Sequence, residues 1–376
     1  MVGDVTPPLP PLATIPPDLR TLADYERMAP THLAPDVWHH IEEGAGRGIT
    51  LSENRLAFDR IGLLPRAMAD LDGGTGVTLL GRAHAAPILL APLAYQRLAH
   101  PDGELASVRA ATAFDTGMVA STLSSVPLED IAAAALALAG EMGKPRAPLW
   151  FQLYLQPARE HSLQLVRRAE AAGYEAIVLT IDAALKPAGI TLPPGVEAVN
   201  LTGMPRPRQT ATPGGRILLG TPLAAAAPSW DDLAWLRRET SLPILVKGLV
   251  LGEDAARAVR EGADGLIVSN HGGRVLDGLP SAVELIQGVA EATGGHVPLL
   301  LDGGVRLGTD VAKALALGAS AVLVGRPQMH ALAVAGMAGV AHMIHILRTE
   351  LEAAMAQLGC PRPDLLTPDR LVALQR

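Results

Sequence analysis

Cysteine is almost absent from this 376-residue chain, where Cys360 is the only one. An intrachain disulfide is therefore excluded, as is any zinc site built from several thiolates. So little cysteine suits a reducing compartment, and the cytoplasm is the expected location. Aromatic residues are scarce at 3%, so Leu, Val, Ile and Ala must fill most of the core. Charged residues make up only 18%, with a net charge of −7. A mildly acidic chain without a basic stripe does not fit nucleic-acid binding. Long apolar runs are also missing. The longest, such as Ile131–Gly140 and Ala331–Gly339, fall short of the roughly 20 residues a spanning helix needs. No membrane partner is expected. The start lacks the basic stretch and apolar run of a secretory signal.

What the chain does have is 49% hydrophobic residues, enough for a large core. Residues 1–20 read as a flexible proline-rich arm, since "TPPLPPLATIPPD" forms neither helix nor central strand. Residues 21–376 read as one domain. Leu22–Glu43 has a largely helical pattern, with Pro30 and Pro35 expected to split it, and a turn "EGAGRG" follows.

Beyond residue 80 short apolar runs alternate with Ala-rich helical stretches. The runs are Pro87–Pro92, Met118–Thr122, Leu149–Leu155, Ala176–Asp182, Ile244–Gly248, Gly265–Asn270, Leu299–Gly304 and Ala321–Gly325. Continuous apolar runs fit parallel strands buried on both faces. Helical patterns lie between them, for example Glu104–Phe114, Leu128–Gly140, Glu160–Gly173, Glu253–Gly262 and Thr309–Gly318. Eight such units predict an α/β fold, a (β/α)₈ TIM barrel behind an N-terminal helical segment. A last helix, about Val340–Leu358, closes the final unit or extends it. The Pro-, Gly- and Thr-rich stretch Lys186–Ser229 follows the fourth strand and is expected to be a lid over the mouth.

Polar residues gather where strands end: Gln152 and Tyr154, Thr180 and Asp182, Lys247, "SNHGGR" at Ser269–Arg274, "DGGVR" at Asp302–Arg306 and "GRP" at Gly325–Pro327. In barrels these ends converge on one mouth, and the last two loops commonly hold a phosphate. Glycine backbone N–H groups with Arg306 and Arg326 suit that role, although Gly-Gly also serves as a tight turn. His271 and Arg274 share one strand end, and Asp182 ends another. A base, an orienting carboxylate and a carboxylate clamp point to proton abstraction beside a carboxylate. His342 and His345 have helical spacing but no further ligands, so they read as surface residues and no metal site is expected.

"SNHGGRVLDG", "LDGGVRLGTDVAKALALGASAVLVGRP", "FQLYLQ" and "APLAYQRLAHPDGE" resemble the FMN-dependent 2-hydroxy acid oxidases and dehydrogenases, from about Leu22 to Cys360. The resemblance implies FMN as cofactor, His271 as base and Asp182 as its orienter. It places Arg274 on the substrate carboxylate and Tyr154 near the substrate hydroxyl. Its FMN contacts are Pro92, Leu93, Ala94, Ser121, Gln152, Thr180, Lys247, Ser269, Asp302, Gly303, Gly304, Val305, Arg306, Gly325 and Arg326. Lys247 would stabilise negative charge on the reduced flavin; a structural ion pair is its other reading.

The implied reaction takes an (S)-2-hydroxy acid, aromatic or bulky, to the 2-keto acid and passes electrons to oxygen or another acceptor. Hydride and carbanion routes both stay open, as do a non-standard substrate (amine, peptide-like or ester) and an idle flavin-binding protein. Relatives of this kind form tetramers, so a homo-oligomer is expected. Two departures stand out. His40 replaces a carboxylate-binding tyrosine of the family, leaving it as a substrate contact or a partly exposed helix end. The arginine that the family carries after the fourth strand is missing, and Lys186 is the only cation nearby.

Overall fold

The computed structural model describes residues 7–183, 190–205, 218–221, 224 and 227–374. Eight parallel strands close into one barrel: β1 (Ile88–Leu90), β2 (Gly117–Ser121), β3 (Leu149–Leu153), β4 (Ile177–Thr180), β5 (Ile244–Leu249), β6 (Gly265–Ser269), β7 (Leu299–Asp302) and β8 (Ala321–Val324). Each predicted run overlaps one of them, with Gly117 and Leu249 falling one residue outside their runs. Three helices precede the barrel: α1 (Leu22–His32), α2 (Pro35–Glu42) and α3 (Ile49–Asp59). Among the described residues seven more follow: α4 (Glu104–Ala113), α5 (Leu128–Glu141), α6 (Arg159–Ala171), α7 (Trp230–Glu239), α8 (Gly252–Arg260), α9 (Ala282–Thr293) and α10 (Gly308–Ala316). The long α11 (Arg326–Leu358) comes last.

Although the strands read as unbroken apolar runs, the fold sorts them with period two. Leu89, Val119, Trp150, Val178, Leu245, Ile267, Leu300 and Leu323 form the barrel interior. Their neighbours Leu90, Ala120, Phe151, Leu179, Val246, Val268, Leu301 and Val324 pack in the outer core with the surrounding helices. The antiparallel pair Val77–Leu79 and Arg82–His84 adds Leu79 to the interior cluster.

Pro30 does not split the first helix. It lies inside α1, and the break falls at Leu33–Ala34, after which Pro35 starts α2 at a position where its missing N–H costs nothing. Residues 7–20 take almost no regular structure, as their prolines require, yet they are tied down: Leu12 N–H donates to Val334 O at 2.7 Å and Leu9 N–H to Thr31 O at 2.9 Å.

The last helix begins at Arg326 instead of near Val340. It closes the eighth unit and then continues past a break at Ala335 and Gly336, whose φ of 54° suits glycine. It is long and apolar enough to cross a bilayer by length and composition, but 72% of its apolar window is buried in the fold. Helix α11 packs on α1, α4 and α10, so its apolar character serves the core. Of the expected surface pair on it, His345 is exposed. His342 is partly buried, with Nδ1 2.9 Å from the Tyr25 hydroxyl.

Candidate active site

The period-two rule continues past the apolar interior. Two residues beyond the inward Val119, Trp150, Val178, Leu245, Ile267 and Leu300 come Ser121, Gln152, Thr180, Lys247, Ser269 and Asp302. Counting the same way gives Ala91 on β1 and Gly325 on β8. One ring of mostly polar side chains therefore crowns the apolar barrel at its C-terminal end, and Ser121, Gln152, Thr180, Lys247 and Ser269 are buried. Pro92, Leu93 and Ala94 follow β1 at the same rim, and Tyr154 follows β3.

Ser269 is the hub of this ring. Its Oγ accepts from Lys247 Nζ at 2.8 Å and from His271 N–H at 3.0 Å, and donates to Asp302 Oδ2 at 2.7 Å. Lys247 Nζ also lies 2.8 Å from Asp302 Oδ2. Burial disfavours the Lys247 ammonium, but Asp302 and Asp182 outweigh it and hold its pKa above the ordinary lysine value. Lys247 thus remains a cation inside the barrel mouth, and its structural pairing supports that charge.

His271 sits in the turn after β6 with φ of 56°, in the left-handed region that non-glycine residues seldom occupy. Its Nδ1 lies 2.9 Å from Asp182 Oδ1. The carboxylate accepts from Nδ1–H, which leaves the lone pair on Nε2. Burial holds the His271 pKa below its usual value, against the pull of Asp182. Burial pushes the Asp182 carboxyl up, but Lys247 and His271 outweigh it and keep it below the usual range. The pair is therefore a neutral imidazole on a carboxylate, the state a general base needs. Gly248 makes room for it: a Cβ there would meet Asp182 Cγ at 2.6 Å, and its φ is 105°.

Tyr154 lies near this pair, where burial and the Asp182 charge raise its hydroxyl pKa, keeping it a neutral donor.

The expected carboxylate clamp and phosphate arginines are placed at the mouth, but their forks are engaged by protein. Arg274 Nη1 donates to Ile41 O at 2.9 Å, and Nη2 donates to His40 O at 2.8 Å and Glu43 Oε1 at 3.0 Å. Arg326 donates to Ile41 O, Gly272 O and Glu43 O at 3.0 to 3.1 Å, and burial lowers its pKa to about 10. Arg306 donates to Val305 O at 3.1 Å. The C-terminal end of α2 is thus bound to two mouth arginines, which satisfy carbonyls that a helix end leaves open. His40 is partly buried there, its Nδ1 3.5 Å from Glu43 Oε1, so the exposed member of the pair is His39.

Glu42, Glu43 and Asn54 were not singled out from sequence, although "HHIEEG" marks a helix end crowded with charge. Glu42 Oε1 lies 2.7 Å from His330 Nε2. Asn54 and Asn270 exchange reciprocal amide bonds of 2.9 and 2.8 Å, fixing α3 beneath the His271 turn. Arg55 reaches Gly304 O at 2.6 Å and both oxygens of the fully buried Asp310, which in turn accepts from Arg306 N–H and Leu307 N–H at 2.9 Å. The Gly303–Arg306 loop is therefore braced from below. Gly304 is required, because a Cβ would lie 1.9 Å from Asn54 O.

The site fits a flavin mononucleotide. Gln152 Nε2 and Thr180 Oγ1 are buried on the polar ring without a partner among the described residues, and such atoms call for a polar ligand. A flavin ring presents N and O atoms suited to them and to Lys247. Gly303, in the loop expected to receive the phosphate, has a φ of 130° that suits glycine, and a Cβ there would meet Asn54 and Asn270 at ordinary contact distance from 3.6 Å. Lys186 and much of the expected lid lie outside the described residues.

Residues 29–373 match the family model described as FMN-dependent dehydrogenase. The chain is 49% identical to an L-lactate oxidase of Alicycliphilus denitrificans, over 95% of this chain and 97% of that one. It is 42% identical to a 4-hydroxymandelate oxidase of Amycolatopsis orientalis, covering 90% and 94%. A crystal structure of mandelate oxidase with (S)-2-phenylpropionate superimposes with a TM-score of 0.82 at 40% identity, covering 94% and 98%. With these matches over nearly its whole length, the chain belongs to the FMN-dependent dehydrogenase family, as a flavoenzyme that oxidises the CH–OH group of 2-hydroxy acids.

Proposed function

We propose that this chain oxidises an (S)-2-hydroxy acid, up to the bulk of a mandelate, to its 2-keto acid, with His271 as base and oxygen as electron acceptor. The observation that carries the reading is the 2.9 Å contact between His271 Nδ1 and Asp182 Oδ1 at the mouth. It holds a neutral imidazole with its Nε2 lone pair available. When bound, FMN accepts the two electrons of the oxidation. Gln152, Thr180, Lys247 and the Gly303–Arg306 loop would hold it, with Pro92, Leu93, Ala94, Ser121, Ser269, Gly325 and Arg326 around the same rim. Tyr154 would donate to the substrate oxygen, and Arg274 would take the carboxylate. His271 removes a proton from the hydroxyl or from Cα, and the imidazolium that forms is stabilised by Asp182.

Oxygen is favoured because the relatives above are named oxidases. Room for a bulky side chain follows from the stretch Asp182–Pro194, which carries no arginine. A cytoplasmic homo-oligomer completes the reading. A second reading, a neutral ester or amide as substrate, is favoured by Glu43 on Arg274.

The test is anaerobic. FMN-loaded protein is mixed with glycolate, lactate, mandelate, 4-hydroxymandelate and the corresponding esters and amides. Bleaching by a free acid, reversed by oxygen, supports the first reading. Bleaching by neutral compounds alone supports the second.

A further inference from the structure

Glu43 occupies the guanidinium that the proposed function assigns to the substrate carboxylate. Its Oε1 accepts from Arg274 Nη2 at 3.0 Å, and both side chains are mostly buried, 22% and 16% exposed. We propose that Glu43 is a specificity-determining residue: a built-in carboxylate that competes with the substrate's own for Arg274 and so sets the preference between anionic and neutral 2-hydroxy compounds. The proposal rests on the reading that Arg274 receives the substrate carboxylate.

Three features make Glu43 a competitor and not a scaffold. The remaining bonds of Arg274 go to the backbone carbonyls of His40, Ile41 and Glu43. Those carbonyls belong to the end of α2 and do not depend on the Glu43 side chain. Arg274 therefore stays in place when Glu43 loses its charge. The donor that Glu43 holds is also the one that can be surrendered to a ligand without breaking a backbone bond.

The neighbouring acid is occupied elsewhere. Glu42 Oε1 lies 2.7 Å from His330 Nε2 and 3.9 Å from Arg326 Nε. Glu43 is left as the carboxylate on Arg274. His40 Nδ1 lies 3.5 Å from the same oxygen, an ion pair whenever the ring is protonated.

The sequence removes the alternative arginine. No arginine lies between Asp182 and Pro194, where Lys186 is the only cation, so on the proposed reading Arg274 is the guanidinium that receives an entering carboxylate. Two carboxylates on one desolvated guanidinium repel each other, and the second binds only at the expense of the first. A neutral amide or ester meets no such repulsion.

Isothermal titration of the FMN-loaded full chain tests this without turnover. The probes are phenylglyoxylate, a 2-keto acid, and its neutral amide. In Glu43→Gln, the acid should bind about tenfold or more tighter, while the amide changes by no more than about twofold. Glu43→Ala should show the same selectivity change. Unchanged or weaker acid binding in both variants would overturn the proposal and make Glu43 a support for Arg274. Arg274→Met separates the underlying reading. If it abolishes acid binding while Glu43→Gln has no effect, the clamp stands and the competition fails. If it leaves acid binding intact, Arg274 is not the clamp and both fall.

Discussion

His271 Nδ1 and Asp182 Oδ1 meet at 2.9 Å across the barrel mouth, although 89 positions separate them in the chain. The contact joins the ends of two different strands and fixes one tautomer of a buried imidazole. Removing the ring removes the base without disturbing the polar ring that would hold the flavin. His271→Ala should retain FMN and slow flavin reduction by about 10²–10⁴-fold, the usual worth of a positioned base. Stopped-flow absorbance of the loaded variant checks both halves.

The sign of the pH dependence follows from the same pair. His271 works as a neutral base, and burial holds its pKa below the ordinary value. Activity should therefore be flat near neutrality and fall only as pH drops below about 6.5. Asp182 is the charge that pulls this pKa upward. Asp182→Asn should lower kcat and shift the acid limb of kcat/KM to still lower pH. A limb that moves upward would contradict this assignment of charges.

Gly248 keeps Asp182 where it is. A methyl group there would lie 2.6 Å from Asp182 Cγ and would sit on a backbone with φ of 105°. Gly248→Ala should cost about 1–3 kcal/mol of stability through backbone strain. It should also displace Asp182 and reduce turnover at least as much as Asp182→Asn does. Thermal melting and steady-state rates measure the two effects separately.

Asp310 braces the Gly303–Arg306 loop through Arg55 and two backbone N–H groups. Asp310→Asn removes the closer counter-charge of the partly buried Arg55, leaving it Asp59 at 3.4 Å. It should cost about 2–4 kcal/mol, lower the Tm and weaken FMN binding. Differential scanning calorimetry and FMN titration should move together; normal FMN affinity with a lowered Tm would separate the brace from the phosphate loop.

The barrel was legible because its strands are short, apolar and spaced by helical stretches ending near glycine. Most of the polar ring was legible too, since Gln152, Thr180, Lys247, Ser269 and Asp302 each stop an apolar run, whereas Ser121 came from the family resemblance. What the sequence concealed depends on tertiary approach. Nothing local to "RVLDG" or "HHIEEG" shows that α2 ends against Arg274 and Arg326, or that Glu43 meets the guanidinium. His342 looked like a surface residue because its partner Tyr25 lies 317 positions away. Pro30 looked like a helix breaker, but in the last turn of α1 few hydrogen bonds remain for it to break.

The most direct measurement is anaerobic flavin reduction by a 2-hydroxy acid, followed side by side in the unaltered protein and in His271→Ala. The expected result is rapid bleaching by at least one acid of the lactate-to-mandelate range, slowed by about 10²-fold or more in the variant, with FMN bound equally in both. Equal bleaching rates in the two proteins would contradict His271 as the base.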